Sequence, residues 1–212
     1  MMSARIEHLE TSGTFSLDGG TWEVDNNVWI VGDDQEVIVI DPAHDAEAVE
    51  KKVAGRKVVA ILLTHAHDDH IGQVKEVQSR IGGSIHLNWE DKPLWEQVYP
   101  GTEPDVKIGD GDTFTVAGTT LQAIHTPGHS PGSTCYYVKD LDGGVVFSGD
   151  TLFNGGPGAT GRSYSSFDTI VDSIKTKLFA LPDDTTVNTG HGPSTTIGAE
   201  KPNVEEAIKN AE

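Results

Sequence analysis

The run His65 to His70 packs three of the chain's nine histidines and two aspartates, Asp68 and Asp69, into six residues. Imidazole and carboxylate are the side chains that bind zinc and iron, and the pattern H-x-H-x-D-H offers them in two pairs. His65 and His67 stand two apart, so an extended segment presents both on one side, while Asp69 and His70 fall where the chain turns into a helix. Two pairs on one turn suit two metal ions. Asp69 alone would serve as well as a helix cap, but a solvated loop has no need of so many ligand types together.

Two ions need more donors, and three further loops supply them. His129 lies in "TPGHSPGS", Asp150 ends "VVFSGD", and His191 lies in "NTGHGP". Each by itself reads as a turn residue. Jointly they fill the vacancies: His65, His67 and His129 hold one ion, Asp69, His70 and His191 the other, and Asp150 bridges. Two divalent cations then largely balance two aspartates and a bound hydroxide.

The elements that must carry these residues are β-type runs ending in Gly, Pro, Asp or His. They are "VWIV" with "EVIVID", "VVAILLTH", "SIHLNW", "TTLQAIHTPGH", "CYYVKD", "GGVVFSGD" and "TTVNTGHGP". Amphipathic helical spacing lies between them, over residues 45–54, from Ile71 through Val74 and Val77 to Ile81, and from Phe167 through Ile170, Val171 and Ile174 to Leu178. Val58 to Leu63 is a strand that releases the first ligand cluster at its carboxyl end, where α/β folds place their sites. Strand-helix alternation mixed with hairpin-like pairs predicts layered α/β, compatible with two sheets between helices. The 212 residues form one domain with no linker, closing on a short exposed helix at about 202–211. The Gly-rich "NGGPGATG" lacks the G-K-[ST] ending of a phosphate loop and reads as a loop near the site.

Composition narrows the partners. With 15 Lys and Arg against 33 Asp and Glu, a formal charge of −18 repels phosphate backbones and anionic membranes, so neither nucleic acid nor membrane is expected. No stretch approaches the roughly 20 apolar residues of a spanning helix. The single cysteine, Cys135, excludes an internal disulfide and a cysteine-cluster metal site and reads as a buried strand thiol. The expected location is cytoplasmic.

The motifs "THAHDDH", "TPGHSPG", "SGDTLF" and "TGHGP", in this order, resemble the metallo-β-lactamase fold superfamily over about Val28 to Gly198. The resemblance implies a four-layer αββα sandwich with a dinuclear site on one edge, and its ligand pattern carries onto His65, His67, Asp69, His70, His129, Asp150 and His191. "SGDTLF" with "GRS" and "GHGP" is most similar to the compact bacterial relatives of glyoxalase II, which hydrolyse S-2-hydroxyacyl thioesters of small thiols. That implies two divalent ions, zinc first with iron or manganese as alternatives, Asp69 and Asp150 as catalytic carboxylates orienting the nucleophile, and a small-molecule thioester as the partner.

Departures from the wider superfamily discriminate further. β-Lactamases on this scaffold lack the last histidine of the motif or place Cys where Asp150 stands. Flavodiiron relatives carry Glu in place of His67. Lactonase or other ester hydrolysis remains an alternative, with Tyr164 the nearest match to the lactonase tyrosine, as does an iron-dependent persulfide dioxygenase. Only Lys201 and Lys209 follow His191, so the basic residues that hold glutathione in classical glyoxalase II have no counterpart, and the carrier thiol stays open. Arg162 is the candidate contact for a carboxylate or hydroxyl of that carrier. Of the remaining residues, Asp41 is expected to brace the metal loop, and His125 to support His129. His86 is structural, His8 solvated, His44 near the site mouth, Asp68 turned away from its neighbours, and the four tryptophans packing residues.

Overall fold

A computed structural model describes residues 3–212. Strands β1 (Arg5–Leu17) and β2 (Gly20–Gly32) form a long antiparallel hairpin, and β3 (Glu36–Ile40) returns against β2. There follow α1 (Ala46–Val53), β4 (Lys57–Leu62), α2 (Asp68–Ile71), α3 (Val74–Ile81), β5 (Ile85–Asn88), a 3-10 turn at Trp89–Asp91, α4 (Lys92–Val98) and β6 (Val106–Ile108). The second half runs β7 (Thr113–Val116), β8 (Thr119–His125), β9 (Thr134–Val138), β10 (Val145–Gly149), the small pair β11 (Leu152–Phe153) and β12 (Gly156–Pro157), and α5 (Phe167–Ser173). A π turn at Ile174–Leu178, β13 (Thr186–Thr189), β14 (Thr195–Thr196) and α6 (Ile197–Ala211) end it.

Two six-stranded sheets result, in the orders β1-β2-β3-β4-β5-β6 and β14-β13-β10-β9-β8-β7. Strand periodicity of two sends alternate side chains to opposite faces. In the first sheet Trp29, Val31, Ile38, Ile40, Ala60 and Leu62 face Tyr136, Val138, Val145 and Phe147 of the second. Val28, Ile30, Val37, Val39, Ile61 and Leu63 face outward to Val49 of α1, Val77 of α3 and Trp95 of α4. Cys135, Val146 and Val187 on the outer face of the second sheet pack on Ile170, Ile174, Leu178 and, from α6, Val204. Both faces of the central strands are therefore buried, which is why they read as continuous apolar runs. Each such side chain contributes about 1.5–3 kcal/mol of transfer free energy. The architecture is the four-layer αββα sandwich.

Three local expectations change, and one segment without a sequence signal joins the first sheet. The amino-terminal segment is the strand β1, paired along its whole length with β2, though most of β1 is half-buried or exposed and it carries no clean apolar alternation. The helix expected through Ile81 breaks at Gly72–Gln73, because Gln73 turns its N–H to the Ala43 carbonyl and its Oε1 to the Ala46 N–H at the start of α1. The helix from Phe167 ends in the π turn, where Phe179 N–H donates to the Ile174 carbonyl. The carboxyl-terminal helix begins at Ile197 rather than about 202, capped by Thr196, and buries Ile197, Glu200 and Val204 instead of lying exposed. Among the described residues no helix is long and apolar enough to cross a membrane.

Candidate metal centre

The four ligand-bearing loops meet where the carboxyl ends of β4 and β10 approach each other across the sandwich. β4 releases Thr64 to His67 in extended form, and α2 starts at Asp68, so His65 and His67 precede the helix while Asp69 and His70 lie on it. His129 follows β8, Asp150 follows β10, and His191 follows β13. His65, His67 and His129 form one cluster and Asp69, His70, Asp150 and His191 a second, with the ligand atoms of each within 4.8 Å of one another. All seven positions predicted from sequence are brought together, and all but His191 are buried.

The separations match a shared cation. His67 Nδ1 lies 3.0 Å from His129 Nε2, and Asp150 Oδ2 lies 3.4 Å from His129 Nε2 and 3.9 Å from His65 Nε2. In the second cluster His191 Nε2 lies 3.1 Å from Asp69 Oδ2 and 3.3 Å from Asp150 Oδ2, and His70 Nε2 lies 3.4 Å from Asp69 Oδ2. Donors held tetrahedrally at about 2.0–2.1 Å from one ion lie roughly 3.4 Å apart. Asp150 thus reaches both clusters. His65 Nε2 and Asp150 Oδ1 are buried without a hydrogen-bond partner, which native proteins avoid unless another group takes the lone pair. Gly190 lets the His191 loop close in, since a Cβ there would collide with Asp150 Oδ1. The residues present fit two metal ions.

Electrostatics divide the clusters. Burial pushes His65 well below the ordinary imidazole range, burial together with His129 pushes His67 to about 3, and burial lowers His129, so these rings are neutral with lone pairs free. Burial also opposes charge on His70 and His191, but there the carboxylates win. Asp150, Asp69 and Asp41 hold His70 well above its ordinary value, and Asp150 and Asp69 raise His191 to about 10. In return, against burial, His70 and His191 bring Asp69 below the ordinary carboxylate value and Asp150 well below it.

Supporting groups fix each ligand. Asp41 accepts from Thr64 N–H at 2.8 Å and Thr64 Oγ at 2.6 Å, and lies 2.8 Å from His70 Nδ1, so it braces both the loop and a ring. His129 Nδ1 donates to the Ala159 carbonyl and His191 Nδ1 to the Asp25 carbonyl, leaving each Nε2 for the site. His125 lies 2.8 Å from the Pro131 carbonyl in the loop of His129. Asp68 turns away and accepts from Ser16 N–H. His44 lies not at the mouth but buried behind the site, packed on Gly13 with its Nε2 3.2 Å from Asn26 Oδ1.

Three supports escaped the sequence. Asn26 donates to the Asp69 carbonyl and to Asp69 Oδ2. Asn27 donates to the Thr189 and Gly192 carbonyls on either side of His191. Asp91, fully buried, accepts from Ala66 N–H, Ser130 Oγ and Gly132 N–H. "DNN" at 25–27 lies within β2 and "WED" forms the 3-10 turn after β5, and neither carries a motif.

The cluster forms the floor of a cavity of about 420 Å³ walled by Phe15, Val24, Phe153 and Ala159. Phe15 meets His67 edge-on at 5.2 Å and Phe153 meets His191 at 6.0 Å. Arg162 lines the cavity with its guanidinium 4.0 Å above the Trp22 ring and 5.1 Å from that of Phe15. Tyr164 does not line it. A positive φ of 68° in the Arg162–Ser165 turn leaves the Tyr164 ring half exposed outside the cavity.

Comparison with known proteins agrees with this geometry. Residues 21–191 match the family described as the Metallo-beta-lactamase superfamily. The chain is 37% identical over 191 residues to the probable metallo-hydrolase YqgX of Bacillus subtilis, covering 83% of this chain and 89% of YqgX. It is 33% identical over 184 residues to a hydroxyacylglutathione hydrolase, GloC, of Haemophilus influenzae, covering 80% and 86%. Similar solved structures include the BLEG-1 B3 metallo-beta-lactamase (32% identity, TM-score 0.73, 89% of this chain and 95% of that one) and TTHA1623 in a di-iron-bound form (31%, 0.74, 85% and 94%). ETHE1 from Myxococcus xanthus is 27% identical with a TM-score of 0.68, covering 83% and 76%. Together with the paired His/Asp clusters on one edge of the sandwich, these matches establish that the chain belongs to the metallo-beta-lactamase superfamily.

Proposed function

We propose that this protein hydrolyses S-2-hydroxyacyl thioesters of a low-molecular-weight thiol, using two divalent ions, zinc in the first place. The observation that carries the reading is the meeting of seven ligand side chains at an apolar cavity sized for a small molecule, with His67, Asp69, His129, Asp150 and His191 on its floor. Similarity to a hydroxyacylglutathione hydrolase supports the substrate class. His65, His67 and His129 would hold one ion, Asp69, His70 and His191 the other, with Asp150 shared. When bound, the ions supply Lewis acidity that brings the pKa of water toward about 7 and polarises an acyl oxygen.

The chain's own residues do the rest. Asp69 and Asp150 keep fixed negative charge on the floor and orient the attacking water's protons. Phe15, Val24, Phe153 and Ala159 exclude bulk water from the acyl group. A thiolate with a pKa near 8.5 leaves without protonation. Outside the ligand clusters the titratable groups lining the cavity are Asp25 and Arg162, so the lining agrees with a reaction that needs no general acid. Arg162, held over the Trp22 ring, is placed to face an anionic group of the carrier, whereas Tyr164 stands too far out for that role.

On this reading the chain acts as one catalytic unit in the cytoplasm, in keeping with its one buried thiol, and its net charge of −18 turns nucleic acid away. A persulfide dioxygenase is the second reading, favoured by the likeness to ETHE1. Assays of the purified enzyme on an S-lactoyl thiol, a lactone, a β-lactam and a persulfide with an oxygen electrode separate these. Thioester cleavage without oxygen uptake is expected. Oxygen uptake with persulfide and an inert thioester would overturn the proposal.

A further inference from the structure

Asp91 is a fully buried carboxylate with no ion-pair partner among the described residues, an expensive arrangement unless its donors repay the burial. It stands at the end of the 3-10 turn after β5, away from the cavity. Its three donors belong to two loops far apart in sequence. Ala66 N–H, between His65 and His67, reaches Oδ2 at 2.9 Å, Ser130 Oγ reaches Oδ2 at 2.8 Å, and Gly132 N–H reaches Oδ1 at 2.5 Å. Ser130 directly follows His129. Gly132 is needed for the approach, because a Cβ there would fall 2.8 Å from the Asn88 carbonyl oxygen, Asp91 N and Asp91 Cγ.

The second cluster is tied down by other groups. Asn26 bonds Asp69, Asn27 bonds the loop around His191, and Asp41 lies against His70. None of these touches the His129 loop, and Asp91 bonds neither Asp69 nor the segment around His191; Asp41 alone spans both clusters, since through Thr64 it also holds the start of the His65–His67 loop.

We infer that Asp91 is a positioning residue for one ion only: by clamping the Ala66 and Ser130–Gly132 backbones together it sets the spacing of His65, His67 and His129, while Asn26 and Asn27 set the other cluster independently. This division rests on the dinuclear reading above.

Zinc dissociation constants, measured by chelator competition, test it in two backgrounds. His191→Ala retains the first cluster and His129→Ala retains the second. Asp91→Asn replaces one acceptor by an N–H₂ that faces a donor, and is expected to weaken zinc by about 10–100-fold in the His191→Ala background. It should leave affinity unchanged in the His129→Ala background, and Asn26→Ala should show the reverse pattern. Ser130→Ala removes a single hydroxyl donor and gives a smaller loss with the same selectivity, which keeps the test decisive if Asp91→Asn folds poorly by circular dichroism. Equal losses in both backgrounds, or none in either, overturn the division of labour alone. Fewer than two ions on the wild-type protein overturns the dinuclear reading and the inference with it.

Discussion

Filling the second cluster must expel protons that filling the first does not. His65, His67 and His129 are held neutral by burial, His67 at about 3, so an ion entering there displaces nothing at pH 7. His191 is raised to about 10 by Asp150 and Asp69, and His70 lies well above its ordinary value for the same reason. Stripping a proton from His191 at pH 7 crosses about three pH units, or about 4 kcal/mol at 1.36 kcal/mol per unit. Metal affinity at the second cluster should therefore climb about tenfold per pH unit between pH 7 and 9 from His191 alone, and more steeply as His70 joins, while affinity at the first stays nearly flat. Calorimetric zinc titration of metal-free protein at pH 7, in buffers of different ionisation enthalpy, counts the protons: none from the rings for one ion and one to two from the rings for the other, with up to one more from the water that the paired ions acidify. Equal release at both, or release confined to the His65–His67–His129 cluster, would refute the assignment of charge. The same raised pKa gives a stability sign. His191 stabilises the metal-free fold fully below 6.5 and loses that contribution as pH rises through about 10.

Other perturbations act at single points. Asp150 lies 3.2–3.9 Å from nitrogens of His65, His70, His129 and His191, so Asp150→Ala should lower both metal content and turnover, the latter by more than the roughly 100-fold that loss of a supporting group costs. Full activity in that variant would remove Asp150 from its shared role. Asp41→Asn leaves one of three buried donors unmatched and should cost about 1–3 kcal/mol, read as a lower urea midpoint with an unchanged m value. Arg162→Ala should raise KM for carriers bearing a carboxylate by about two- to fivefold with kcat preserved, as suits a partly solvated ion contact. Tyr164→Phe should change neither constant, and a shifted KM there would restore Tyr164 to the substrate site.

The ligand set was legible because metal chemistry restricts donors to a few residue types and places them at strand ends, so "HAHDDH" and three isolated loops spelled it out. Apolar runs likewise marked the sheets, since strands buried on both faces leave little choice of residue. What stayed hidden depends on partners distant in sequence. β1 is a strand because β2 pairs with it residue by residue, not because of its own pattern. Asp91 belongs to no motif, and only the fold brings residues 66, 130 and 132 onto its carboxylate. Phe15 lines the cavity and Trp22 meets Arg162 only because β1 and β2 bring them there, and Tyr164, at a positive φ that its identity does not announce, stands outside.

Elemental analysis joined to activity on one sample tests the dinuclear centre and the proposed thioester hydrolysis most directly. Protein purified without added metal should carry close to two divalent ions per chain and cleave an S-lactoyl thiol. It should lose both on chelation and regain both when two equivalents of zinc are restored. A single tightly held iron, with persulfide-dependent oxygen consumption and no thioester cleavage, would contradict it.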